Sequence, residues 1–239
     1  KSNIRVMLAW ANFYRNKPQP DITKEKAQWD RAYSLAPTDK QVLTDNVSFV
    51  LRHQGVTEAQ KFVESSLKKH PEDAITNFLL GSLIAGQQNY AEALAYFDKA
   101  LQTAEDDEKL NIKFSKGRAE LAIKKHNDAK VTFAEIIKEY PNNSLGYKGL
   151  ISVYMAQNDF EAGAKALEAY GSELNALAPY SMLIEASVAR KDLVSAKAYF
   201  DKAKKLDVSE TDLAKLDQAI RYVEAVMAVQ VNDFGEARS

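Results

Sequence analysis

Pro37 and Pro71 lie 34 residues apart, and each closes an apolar segment with helical spacing. Smaller marks continue the interval. Gly81 to Ala93 and Gly117 to Ala129 both span 12 residues, and Ala93-x3-Phe97, Ala129-x3-Phe133 and Ala196-x3-Phe200 share one internal spacing. A period near 34 residues implies stacked helix pairs, none of which buries its apolar face alone. Such an array offers a surface rather than a reaction centre. At 239 residues the chain has room for six to seven of these units.

Composition agrees with an ordered helical chain. Hydrophobic residues make up 46% and charged residues 27%, which argues against disorder. Only 9 Gly and 6 Pro interrupt a sequence rich in helix formers. The formal net charge of -1 gives no general attraction to nucleic acid or anionic membrane. No Cys is present, so disulfides, thiolate metal sites and a Cys nucleophile are excluded. No apolar run approaches the roughly 20 residues needed to cross a bilayer.

The clearest unit runs from Ala74 to Thr103. Its first helix carries Leu80, Gly81, Leu83 and Ile84, and Gln87-Gln88-Asn89 turns the chain. Its second helix places Ala93, Leu94, Phe97, Ala100 and Leu101 on one stripe. A mid-helix Gly costs about 1 kcal/mol relative to Ala, so Gly81 and Gly117 predict close helix crossings. Trp29, Phe97, Phe133 and Phe200 are expected to fill the spaces between helices.

The run Asn77-x2-Leu80-Gly81-x2-Ile84, followed by Ala93-x3-Phe97-x2-Ala100, resembles the tetratricopeptide repeat family, with Asn77 and Ile84 departing from its aromatic places. The preceding unit reads Leu43-x2-Asn46-Val47-x2-Val50, then Ala59-x3-Val63-x2-Ser66, then Pro71. The following ones read Gly117 with Ala129-x3-Phe133, then Gly149 with Ala162-x3-Ala166-x2-Ala169, then Tyr180-x2-Leu183-Ile184 with Ala196-x3-Phe200. Ile184, in place of a small residue, predicts shifted packing. Units are expected at 1–37, 40–73, 74–107, 110–141, 142–175 and 177–208, with 209–239 beginning a further, truncated one. Ser209 to Val231 reads as a long helix and Asn232-Asp233-Phe234-Gly235 as a turn. The resemblance implies an all-α, right-handed superhelical solenoid of antiparallel helix pairs.

The resemblance also implies that first helices line a concave groove. By phase, that groove would carry Gln41, Thr44, Ser48 and Arg52; Phe78 and Ser82; Asn111, Phe114 and Arg118; Asn143, Leu150 and Tyr154; Ser181 and Glu185. Arg52, Phe78, Asn111, Phe114, Arg118, Asn143, Tyr154 and Glu185 form the expected partner-binding set. The alternative is that these side chains cover neighbouring helices. The Lys/Asn clamp with which some members hold a C-terminal carboxylate is absent, since Thr44, Ser48 and Ser82 stand at the matching places.

No catalytic constellation emerges. His53, His70 and His126 lack a second His or carboxylate at ligand spacing, and solvent or capping roles are expected for all three. The acidic run Glu105-Asp106-Asp107-Glu108 lacks the alternation and central Gly of a calcium loop and reads as a solvated helix end. The expected function is therefore a non-catalytic scaffold that binds a protein or peptide, with no cofactor, metal or nucleic acid. A structural or oligomerising module of a larger envelope or polysaccharide-secretion protein, a homodimer, and the non-catalytic part of an enzyme are the alternatives. The ends read as those of a piece of a longer bacterial protein, cytoplasmic or periplasmic, with any lipid anchor outside it.

Overall fold

The computed structural model describes residues 2–236, and these form thirteen α-helices with no strand among them. Helices account for 81% of the chain, as the all-α reading requires. Contacts divide it into two compact units, Lys1–Lys125 and His126–Ser239. Unit one holds α1 (Ser2–Arg15), α2 (Ile22–Leu35), α3 (Lys40–Gln54), α4 (Val56–Lys69), α5 (Ala74–Gly86), α6 (Tyr90–Thr103) and α7 (Asp106–Ala122). Unit two holds α8 (His126–Glu139), α9 (Ser144–Ala156), α10 (Phe160–Glu173), α11 (Leu177–Ala189), α12 (Leu193–Ala203) and α13 (Glu210–Glu236).

Local chemistry starts and stops these helices. Asp21, Asp39, Asp73, Asp159 and Asp192 each accept a hydrogen bond from the backbone N–H three residues on, satisfying a donor left free at a helix start. The turns before α6, α10 and α12 share one geometry. Gln88, Asn158 and Lys191 adopt φ of 68°, 57° and 59°. The next residue then donates to a carbonyl five back: Asn89 to Ile84, Asp159 to Tyr154 and Asp192 to Ser187. That closure ends a helix without a glycine, although left-handed backbone costs such residues about 1–2 kcal/mol.

Packing register is counted from these starts. The fourth residue of α4, α6, α8, α10 and α12 is small and buried: Ala59, Ala93, Ala129, Gly163 and Ala196. The eighth is the large residue of the contact: Val63, Phe97, Phe133, Leu167 and Phe200. In α10 this corrects the expected Ala162, Ala166 and Ala169, because Gly163 and Leu167 are the buried pair there. Three adjacent small residues, 162–164, leave the spacing ambiguous, and the Asp159 cap resolves it.

Gly81 lies where a Cβ would come within 2.8 Å of the Phe97 ring. Gly117 is buried as well. Gly149 serves a different crossing, since a Cβ there would fall 2.2 Å from the ring of Phe133 on α8. In the α11–α12 pair Ile184 fills the slot that Gly81 leaves open. Ile184 and Ala196 are fully buried with Leu216 and Ile220 of α13, while Phe200 is displaced to a half-buried place beside them. Trp29, Phe97 and Phe133 are core, as expected. The expected turn at Asn232–Asp233 does not form, because α13 continues to Glu236. Turn residues bias the backbone only weakly, and continued intrahelical bonding outweighs them here.

Gly81→Leu should lower stability by about 1–3 kcal/mol through overpacking against Phe97; an unchanged denaturant midpoint would show the contact to be loose. A second expectation concerns Tyr147 on α9, which is fully buried and donates its hydroxyl proton to the Pro141 carbonyl at 2.8 Å. Burial, with Tyr170 beside it, pushes this phenol up to about 12. A raised folded-state value means that its contribution is complete below about pH 10 and is lost as pH rises toward 12. Ultraviolet titration should find one late phenolate that Tyr147→Phe removes, with a shallower alkaline fall in stability.

Candidate partner-binding face

In unit one α5 touches both α3 and α7, so the three first helices form a row. Packed helices lie about 8–10 Å apart, and a flat row would separate α3 from α7 by roughly twice that. Yet Lys40, the first residue of α3, places Nζ 2.7 Å from the Asp107 carboxylate at the start of α7, with Glu108 at 4.0 Å. This pair links the starts of α3 and α7, on either side of α5. Two carboxylates of the acidic run are thus a strap rather than merely a solvated helix end. Glu108 also accepts from the Glu105 N–H at 3.1 Å, capping α7.

The residues expected on the groove side of this row are Thr44 and Ser48 on α3, Phe78 and Ser82 on α5, and Asn111, Phe114 and Arg118 on α7. Thr44, Ser48, Asn111 and Arg118 are exposed, and Phe78, Ser82 and Phe114 are half-buried. Arg118 lies over Phe114, its guanidinium carbon 6.0 Å from the ring centroid. No described carboxylate pairs with Arg118. Phe78 leans toward the core, with its ring 6.1 Å from that of Phe97. A cleft of about 520 Å³ opens beside them, lined by Ser82, Gly86, Gln88, Tyr90, Ser115 and Arg118 among others. It joins polar rims to the buried edge of Phe97 and contains no acidic side chain.

Other residues of the expected set lie elsewhere. Arg52 directs its guanidinium to Glu25, 3.7 Å away, so its charge is already engaged. Asn143 caps α9 and accepts from the Leu145 N–H at 2.9 Å, rather than standing on a helix face. Leu150 is buried core. Tyr154 packs toward α10, where a Cβ at Gly163 would lie 3.1 Å from its own Cβ, and Lys130 covers its ring at 4.3 Å. The cause is one misplaced phase. Counted from the Asn143 cap, Tyr147, Leu150, Ile151 and Tyr154 hold in α9 the places of Asn77, Leu80, Gly81 and Ile84 in α5. The outward places on α9 fall to Lys148, Ser152 and Met155, all of which are exposed. Glu185 is exposed on α11, as its phase predicts, and belongs with Tyr154 to unit two.

A buried ionic cluster escaped the sequence reading. Glu25 occupies the fourth position of α2, where the other second helices carry Ala or Gly, and is 1% exposed. Its carboxylate accepts from Trp29 Nε1 at 3.3 Å and lies 4.0 Å from His53 Nε2. His53 is exposed, as expected, while its ring also rests against that of Phe49, with centroids 4.7 Å apart. His70 does cap α4, through its backbone N–H. His126 begins α8 and keeps a buried Nδ1 without a described partner. Among the described residues no group of three or more His, Asp or Glu stands where it could hold a metal ion, and no helix is long and apolar enough to cross a membrane.

Residues 50–108, which include α4, α5 and α6, match the tetratricopeptide repeat family. No curated protein sequence matches the chain. Solved structures share the fold at low identity. PilW, a type IV pilus biogenesis factor, is 18% identical, with 86% of this chain and 94% of that one covered at a TM-score of 0.58. Pseudomonas aeruginosa PilF is 13% identical, with 91% and 96% covered at 0.58. YrrB, a repeat protein of this type, is 15% identical, with 71% and 84% covered at 0.52. Residues 50–108 thus match the tetratricopeptide repeat family, and beyond them the chain shares the fold of these solved structures.

Glu25→Ala should lower stability by about 1–3 kcal/mol, because the buried Trp29 N–H loses its acceptor. Glu25→Gln keeps an oxygen there and should cost less. Equal melting of the two variants would show that the Trp29 bond contributes nothing.

Proposed function

We propose that unit one is a non-catalytic interaction scaffold that takes an extended peptide or a helix on the concave face of α3, α5 and α7. The observation that carries this reading is the Phe114–Arg118 pair beside the open cleft. An aromatic and an arginine at the centre of a concave surface are the side-chain types that most often dominate binding energy. Arg118 has no described carboxylate partner, and the serines and Tyr90 around it supply further hydrogen-bonding groups. Phe78 adds apolar area. The fold is one on which a peptide-binding site has been built elsewhere, as the description of YrrB states.

Recognition by such a face uses helix-in-groove or extended-peptide contacts and no bond making. Truncating Phe114, which is half-buried, should affect binding more than folding, whereas Phe133 is fully buried. Phe114→Ala is expected to weaken a partner, captured by pull-down with the full-length protein, by at least about 1 kcal/mol. Phe133→Ala should cost about 3–5 kcal/mol of stability. If thermal melts show Phe114→Ala to be as destabilising as Phe133→Ala, Phe114 is core and the reading loses its central residue.

A further inference from the structure

Helix α1 is apolar on two opposite faces. Leu8 and Ala11 are buried in unit one, with Ile4 and Met7 packed beside them. The outer face carries Val6, Trp10 and Phe13, which remain 55%, 47% and 52% exposed. Trp10 stacks on Tyr14 at 5.6 Å and meets Phe13 edge-on at 5.4 Å, so the rings make one continuous patch. A helix that is apolar all round is normally buried, which makes the outer face of α1 a candidate contact surface.

Two observations select what fits it. The first is charge. Residues 2–35 carry six Lys and Arg against three Asp and Glu. All three acids are engaged within the unit: Asp21 with Lys24, Asp30 with Lys26 and Glu25 with Arg52. Arg5 and Arg31 pair with no described carboxylate, and Lys17 lies over the Phe13 ring at 5.4 Å. A second copy meeting this patch across a twofold axis would set basic against basic. The second is shape. Between α1 and α2 lies a cleft of about 370 Å³, lined by Val6, Met7, Trp10, Tyr14, Gln28 and Arg31. A cleft takes a protruding side chain, whereas a bilayer surface suits protruding apolar wedges.

We propose that the outer face of α1 is a second interaction surface, which receives an acidic amphipathic helix of a protein partner. An apolar residue of that helix enters the α1–α2 cleft beside Trp10, and a carboxylate near it reaches Arg31. This surface does not depend on the face of α3, α5 and α7.

The test is a display library of short amphipathic helices whose polar positions are randomised among Glu, Gln and Lys, selected on the full-length protein. Glu should be enriched. The selected peptides should shield Trp10 from acrylamide, a clean readout because Trp29 is only 1% exposed. Their affinity should fall about tenfold or more on Trp10→Ala and on Arg31→Glu, yet be unchanged by Phe114→Ala. Circular dichroism melts of the variants separate lost binding from lost folding. Absence of Glu enrichment, or binding indifferent to both α1–α2 variants, overturns the proposal. So does a Trp10 already shielded in the free protein, where sedimentation then separates a second copy from another part of the same chain. Shielding by phosphatidylglycerol vesicles, with no peptide selected, would assign the face to a membrane and overturn it equally.

Discussion

The fit of a large side chain against a small one carries this architecture. The second helices of the pairs approach their neighbours through Ala59, Ala93, Ala129, Gly163 and Ala196, and a turn later each presents its bulky residue. Where the facing helix offers Gly81, the Phe97 ring lies flush with backbone and is wholly buried. Where it offers Ile184, the slot is full and Phe200 remains half-exposed. The same rule makes Glu25 conspicuous. A carboxylate at a small-residue place can be buried there only because Trp29 donates to it and Arg52 and His53 stand close, since a lone buried charge would be costly.

From that register the surface of unit one follows. Once the small faces of the helices are committed to packing, the remaining faces of α3, α5 and α7 point the same way. The Lys40–Asp107 pair joins the starts of α3 and α7. An exposed ion pair of this kind adds little stability. Its meaning is geometric: it ties the starts of two helices that flank α5. Phe114 and Arg118 stand one turn apart on one helix, which is why their side chains meet.

Helical class, the period and the small-and-aromatic contact could all be read from residue spacing. Spacing suffices when the residues at a place differ in kind from their neighbours, as Gly81 and Phe97 do. It fails where kinds repeat. Around residues 162–164 three small side chains follow one another, and around 146–149 two glycines compete. Only the Asp159 and Asn143 caps fix where each helix starts and which side chains turn inward, and Tyr154 and Leu150 left the expected groove for that reason.

The sequence determined that the chain is a stack of helices, because a 34-residue period of apolar stripes has no other way to bury them. It also placed Trp29, Phe97 and Phe133 in the core. Tertiary structure alone decided which charges are engaged. Arg52 and Arg118 look alike in sequence, yet one faces a carboxylate on α2 and the other an open cleft. Likewise Asp107 finds Lys40 across 67 residues. Such pairings depend on distances between helices far apart in the chain, and local periodicity carries no information about them.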